Sequence, residues 1–204
     1  MNSGKALKQI DLEMILASLS TPWKYRISLE QYSTPSYLAA ALLYRAAQEG
    51  NVVGKRVADF GCGNGIFAIG AAILGASYVT GVDSDERMVA LAEENRKKLG
   101  LNIKFLCADI SEFSERVETV FMNPPFGTHN RGMDVPFIDK ALELSKHFYI
   151  ILDYNAGDFL RNHVGQRASV VWEERSFIDI PHTYGFHKRE NVRVAVRVAR
   201  VDVH

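Results

Sequence analysis

A chain of 204 residues has room for one hydrophobic core and not for two. Its 47% apolar and 24% charged residues exclude a disordered or fibrous class, and no run nears the roughly 18 consecutive apolar residues of a membrane span. Basic and acidic residues balance at 24 each, which excludes gripping nucleic acid through a whole-surface positive field; RNA contact would need a local patch or a partner.

Residues 1–9 carry two lysines, but Asp11 and Glu13 follow, so neither a signal peptide nor a transit peptide is expected. Cys62 and Cys107 lie in separate apolar segments and cannot form a zinc site by themselves. They read as reduced intracellular thiols, and the protein is expected in the cytoplasm.

Residues 5–19 have helical spacing, with Leu7, Ile10, Met14 and Ala17 on one face. Thr21-Pro22-Trp23 breaks that helix, residues 29–35 read as a loop, and Pro35 opens a helix over 36–48. Strands follow at 56–60, 78–82, 103–108 and 119–122, stopping at Gly61, Asp83, Asp109 and Asn123. Between them lie a small-residue helix over 66–74 and a second helix started by Ser84 or Asp85, whose apolar face is Met88, Leu91, Ala92, Asn95 and Leu99. A helix over 134–146, a strand over 148–153 and a helix over 156–163 come next. Strands over 168–180 and 192–201 close the chain. In the last, valines 192, 194, 196 and 198 alternate with Arg193, Ala195 and Arg197. Alternating strands and helices predict an α/β fold with a mostly parallel sheet covered on both faces, and an antiparallel final strand. One domain over 1–204 is expected, with an N-terminal helical extension over 1–28. Ligands of such sheets sit beyond the carboxyl ends of the strands.

Asp59-Phe60-Gly61-Cys62-Gly63-Asn64-Gly65 places three glycines at alternate positions directly after a strand, where the backbone can turn tightly and approach a ligand. Asp83 lies 18 residues beyond Gly65, where a carboxylate can take both hydroxyls of a ribose. The third glycine comes one residue too early for a dinucleotide loop, and the Asp59 carboxylate suits an amino-bearing cation better than a diphosphate. The loop resembles the D-x-G-x-G-x-G turn of Rossmann-like methyltransferases, which hold S-adenosylmethionine.

Asn123-Pro124-Pro125-Phe126 follows the fourth strand; its prolines make it rigid. The Asn123 side-chain oxygen and the Pro124 carbonyl could each accept one hydrogen of a planar amine and aim its lone pair at a methyl donor, while Phe126 stacks on the base. The segment resembles the [DN]-P-P-[FYW] element of amino-methyltransferases. By itself it does not separate adenine, guanine, cytosine or a protein glutamine amide.

Leu29-Glu30-Gln31-Tyr32-Ser33-Thr34, the extended Asn-Pro-Pro-Phe-Gly-Thr run and Tyr184-Gly185-Phe186-His187-Lys188 together resemble the methyltransferase-like-five family, over about residues 29–201. That resemblance implies a seven-stranded Rossmann-like sheet of order 3-2-1-4-5-7-6 and formation of N6-methyladenosine in small-subunit ribosomal RNA. It implies that Gln31 and Thr34 close over S-adenosylmethionine beside Asp59, Gly61, Gly63, Asn64 and Ile66. Asp83 would hold the ribose, Asp109 and Ile110 the adenine, and Asn123 to Phe126 the target base. It also implies a small zinc-binding activator subunit, for which strand 103–107 is the candidate docking edge.

His187, Lys188 and Arg189, with Arg193 and Arg197 nearby and Tyr184 and Phe186 for stacking, form the expected RNA patch. His129-Asn130-Arg131 reads as a flap or a plain loop, and His147, His163 and His204 lack metal-ligand spacing. The alternatives are a glutamine-amide methyltransferase, which usually carries Tyr after the prolines and an added helical domain, a methyltransferase acting on base amines of another nucleic acid, and a catalytically dead cofactor-binding scaffold. A nicotinamide dehydrogenase fails on glycine spacing.

Overall fold

The computed structural model describes residues 7–23, 33–126, 132–181 and 191–204. The elements in chain order are α1 (Gln9–Ala17), α2 (Ser36–Gln48), β1 (Arg56–Phe60), α3 (Ile66–Ile73), β2 (Tyr78–Asp83), α4 (Glu86–Lys98), β3 (Lys104–Cys107), β4 (Thr119–Met122), α5 (Val135–Leu144), β5 (His147–Asp153), α6 (Gly157–Val164), β6 (Ala168–Pro181) and β7 (Asn191–Val203). Short 3-10 turns occupy Ile110–Glu112 and Tyr154–Ala156.

The seven strands form one sheet of order β3-β2-β1-β4-β5-β7-β6. The first five are parallel, and β7 runs antiparallel between β5 and β6. Strands β1 and β4 are apolar on both faces because helices cover both sides, as parallel sheets require. One core cluster joins α1, α2 and α3 to the sheet through Leu12, Leu43, Phe67, Phe121 and Tyr149. The other lies under α5 and α6, around Phe60, Met122, Ile138, Ile150 and Leu160. On the first face Phe67, Phe121, Tyr149 and Trp172 form a ladder, with centroids 5.5, 5.0 and 6.1 Å apart, crossing from α3 over β4 and β5 to β6.

The strand order and the antiparallel β7 match expectation; of the apolar face read for α1, Leu7 packs on the core but most of the buried contact comes from another stripe. Leu12 and Leu16 are buried, whereas Ile10 and Met14 are 55% and 67% exposed. Apolar residues occur nearly all round this helix, so periodicity offered two faces, and packing against α2 and α3 selected the Leu12–Leu16 stripe. Leu99, placed on the apolar face of α4, is exposed, while Met88, Ala92 and Asn95 of that face are buried. In β7 the alternation holds at Val196 and Val198, but Ala199 and Val201 are buried too, because α6 covers that end. Several boundaries shift by one or two residues: β3 is Lys104–Cys107, α5 starts at Val135 and β7 runs to Val203.

Candidate active site

Strand β1 runs into Gly61, Gly63 and Gly65, all at positive φ. Gly61 and Cys62 donate backbone N–H groups to the Val82 carbonyl, at 2.9 and 3.0 Å, so the turn folds over the end of β2. Gly65 caps α3 at φ +84, and a Cβ there would lie 3.0 Å from the Phe105 ring and 3.2 Å from Ala92 Cβ. Both conformation and space disfavour any other residue.

A cavity of about 440 Å³ opens beyond the ends of β1, β2 and β4. Of the expected cofactor residues, Thr34, Asp59, Gly61, Gly63, Asn64, Ile66, Asp83, Asp109 and Ile110 line it; Gln31 lies outside the described residues. Asn123 and Pro125 of the tetrapeptide share the same cavity. Pro124 is buried behind them, and Phe126 packs half-buried against the first core cluster. His187, Lys188, Arg189, Tyr184, Phe186 and the segment 127–131 lie outside the described residues.

The three carboxylates differ in environment. Asp59 is fully buried; its Oδ2 accepts the Ala68 N–H at 2.9 Å, in the first turn of α3. Burial pushes its carboxyl up to about 7, against the pull of the Ala68 N–H and with a further push from the nearby Asp83 charge. Asp83 accepts the Gly63 N–H on one oxygen and the Asp85 N–H on the other, each at 2.9 Å, and burial also raises it. Asp109 is lowered by the Ser111 hydroxyl, which donates to it at 2.6 Å. No lysine, arginine or histidine lines the cavity among the described residues. Such a donor set repels a pyrophosphate and fits a ligand carrying ammonium or sulfonium charge, hydroxyls and an adenine. Apolar Val82, Met88 and Ile110 also line the cavity.

Asn123 Nδ2 donates to Thr34 Oγ1 at 2.9 Å, which fixes the orientation of the Asn123 amide. Asn95 was legible only as a polar residue on an apolar helical face; here its side chain is 1% exposed and accepts the Ser20 N–H. Its Nδ2 donates to the carbonyls of Ser20 and Asn64, both at 3.1 Å, and Asn64 Nδ2 donates to the same Ser20 carbonyl at 3.2 Å. This cluster ties the segment after α1, including the cavity-lining Pro22, to the glycine turn. Phe137 of α5 also lines the cavity, 3.3 Å from where a Cβ on Gly61 would stand, and nothing in its local sequence marked it.

A β3-β2-β1-β4-β5-β7-β6 sheet with a glycine turn after β1, a carboxylate after β2 and this cavity between them defines a Rossmann-like, S-adenosylmethionine-dependent methyltransferase. Residues 38–147 match the family model of the methyltransferase small domain. A relative in Methanocaldococcus jannaschii is 37% identical, over 96% of this chain and 94% of its own length, and carries no assigned activity. The rRNA N(6)-adenosine-methyltransferase METTL5 of Danio rerio is 32% identical over 95% of this chain and 98% of its own. The crystal structure of a candidate RNA methyltransferase from Pyrococcus horikoshii superposes with a TM-score of 0.90 at 33% identity, covering 98% of this chain and 99% of that one. The chain belongs to the methyltransferase small domain family and, with METTL5 of Danio rerio, to the methyltransferase-like-five group.

Proposed function

We propose that this protein methylates the N6 amine of an unpaired adenosine in small-subunit ribosomal RNA, in the cytoplasm. The observation that carries the reading is Asn123, held by Thr34 and facing the cavity that Gly61 and Asp83 also line. S-adenosylmethionine supplies an electrophilic methyl group on a sulfonium. Asp83 holds the ribose hydroxyls, Asp59 faces the cationic end, and Asp109 with Ile110 brackets the adenine of the donor. With the Asn123 amide nitrogen committed to Thr34, its Oδ1 accepts one hydrogen of the substrate amine and the Pro124 carbonyl accepts the other. The amine is drawn out of ring conjugation and its lone pair is aimed at the methyl carbon. The new N–C bond forms as the C–S pair returns to sulfur, and the surplus proton leaves the acidic alkylated amine for water. Phe126 offers a face for the flipped base.

Replacing Asn123 by Ala is expected to lower turnover on ribosomal RNA about 100-fold or more while donor binding changes little. Thr34→Val, which removes the acceptor that orients the amide, is expected to lower turnover about 10-fold, with Thr34→Ser close to wild type. Equal labelling of RNA by the wild type and Asn123→Ala would defeat the reading.

We propose further that β3 receives a small zinc-binding activator subunit by strand addition. β3 is the sheet edge, its own Phe105 and Leu106 are half-buried, and a partner would add RNA affinity to a neutral chain. Leu106→Pro would block such pairing, so co-purification of the subunit is expected with the wild type and not with this variant. Full activity of the isolated chain would count against it.

A further inference from the structure

We infer that the exposed face of the β6–β7 ribbon is the surface that holds the RNA strand flanking the target adenosine. This rests on the RNA reading above and assigns residues other than His187, Lys188 and Arg189. β5 ends at Asp153, opposite Val196, whereas β6 and β7 stay paired to Pro181↔Asn191. The ribbon therefore overhangs β5 by five residues of β7, roughly 17 Å, at the end of the sheet where the cavity lies. Tyr37, three residues after the cavity-lining Thr34, donates its hydroxyl to the Phe177 carbonyl and ties this overhang to the cavity wall.

Residues directly opposite in an antiparallel pair share a face, so Arg175 and Arg197, Phe177 and Ala195, and Asp179 and Arg193 stand on one side. The guanidinium carbon of Arg175 lies 4.6 Å from the Tyr154 ring centroid and 5.0 Å from that of Phe177. Arg193 lies 4.7 Å from Phe177, and Arg197 5.1 Å from Tyr154. Arg197 is anchored, donating to the Tyr154 carbonyl at 3.0 Å and pairing with Glu173 at 2.8 Å. Arg175 and Arg193 are exposed and make no hydrogen bond or ion pair among the described residues.

Arg197 has its counter-charge in Glu173, whereas Arg175 and Arg193 have no ion-pair partner among the described residues, where Asp179 is the one acid of the overhang. A polyanion is the occupant that supplies the missing counter-charge. A guanidinium held against aromatic rings keeps N–H groups for phosphate oxygens, and the rings beside it offer apolar surface for a base. A chain of net charge zero needs such a local concentration of positive charge to hold RNA at all.

The test is fluorescence anisotropy of the full chain with a labelled single-stranded RNA, across a salt series, for the wild type, Arg175→Ala/Arg193→Ala and Arg175→Lys/Arg193→Lys. The alanine pair is expected to bind about 10-fold or more weakly, and its slope of log affinity against log salt to shrink by about 1.4, two phosphate contacts at roughly 0.7 each. The lysine pair is expected to keep the slope and lose part of the affinity, because ammonium groups do not stack. Thermal melting and donor binding equal to wild type separate this from misfolding; should the alanine pair melt early, the lysine pair carries the test. Alanine and lysine pairs that bind with wild-type affinity and slope overturn the inference, even where adenine methylation is confirmed. Slopes as expected in a wild type that never methylates adenine would uphold the surface and sink the N6 reading, and wild type that binds no RNA would sink both.

Discussion

Asp59 shows how one residue serves both fold and site. Its carboxylate caps the first turn of α3 from the end of β1, and the glycine turn begins two residues later. The Asp-x-Gly spacing was legible because only glycines accept the positive φ values that follow. The burial that raises the carboxyl to about 7 was not, since it depends on helices and strands distant in sequence. A carboxyl whose folded value lies above its unfolded value of 3.8 stabilises the folded protein fully below that lower value. The contribution is lost as pH rises through about 7. Wild-type melting temperature is therefore expected to fall by roughly 5 °C or more between about pH 5 and pH 8 through this group. Asp59→Asn, which keeps an acceptor for Ala68, is expected to flatten that dependence. Identical slopes in the two proteins, followed by calorimetry, would show that Asp59 is ionised throughout.

At the scale of elements, the strands and the ends that carry chemistry were readable from short β-branched runs stopped by Gly61, Asp83, Asp109 and Asn123. Edge strand β3, at the outer end of the sheet, matched within two residues. The helix α1 was legible but its buried face was not, because two apolar stripes competed and only tertiary packing could choose. Its role is plain in space: α1 packs on α2 and α3, and Asn95 of α4 then fastens Ser20 and the Asn64 carbonyl together. A buried polar residue in an apolar stripe is retained where it satisfies backbone groups that nothing else reaches. Asn95→Ala orphans the Ser20 N–H and is expected to cost about 1–3 kcal/mol, read as a lower urea midpoint at unchanged slope. Donor affinity should fall with it, since Pro22 and Asn64 both line the cavity. An unshifted midpoint would mean that water replaces these bonds freely.

For the whole molecule, the neutral composition argued against nucleic acid while the motifs argued for it. The structure reconciles the two by segregating charge. Carboxylates gather inside the cavity, and Arg175, Arg193 and Arg197 gather on one face of the β6–β7 ribbon towards the same end of the sheet. That separation suits a cationic donor inside and a polyanionic substrate outside. The sequence already placed Arg193 and Arg197 beside the basic run 187–189, but Arg175 joins them only through strand pairing. No helix among the described residues is long and apolar enough to cross a membrane, and no group of side chains there could hold a metal ion. The central claim is tested most directly by incubating the protein with isotopically labelled S-adenosylmethionine and small-subunit ribosomal RNA, digesting the RNA to nucleosides and resolving them by mass spectrometry. The account predicts label in N6-methyladenosine; label in another nucleoside, or in a protein glutamine with none in RNA, would contradict it.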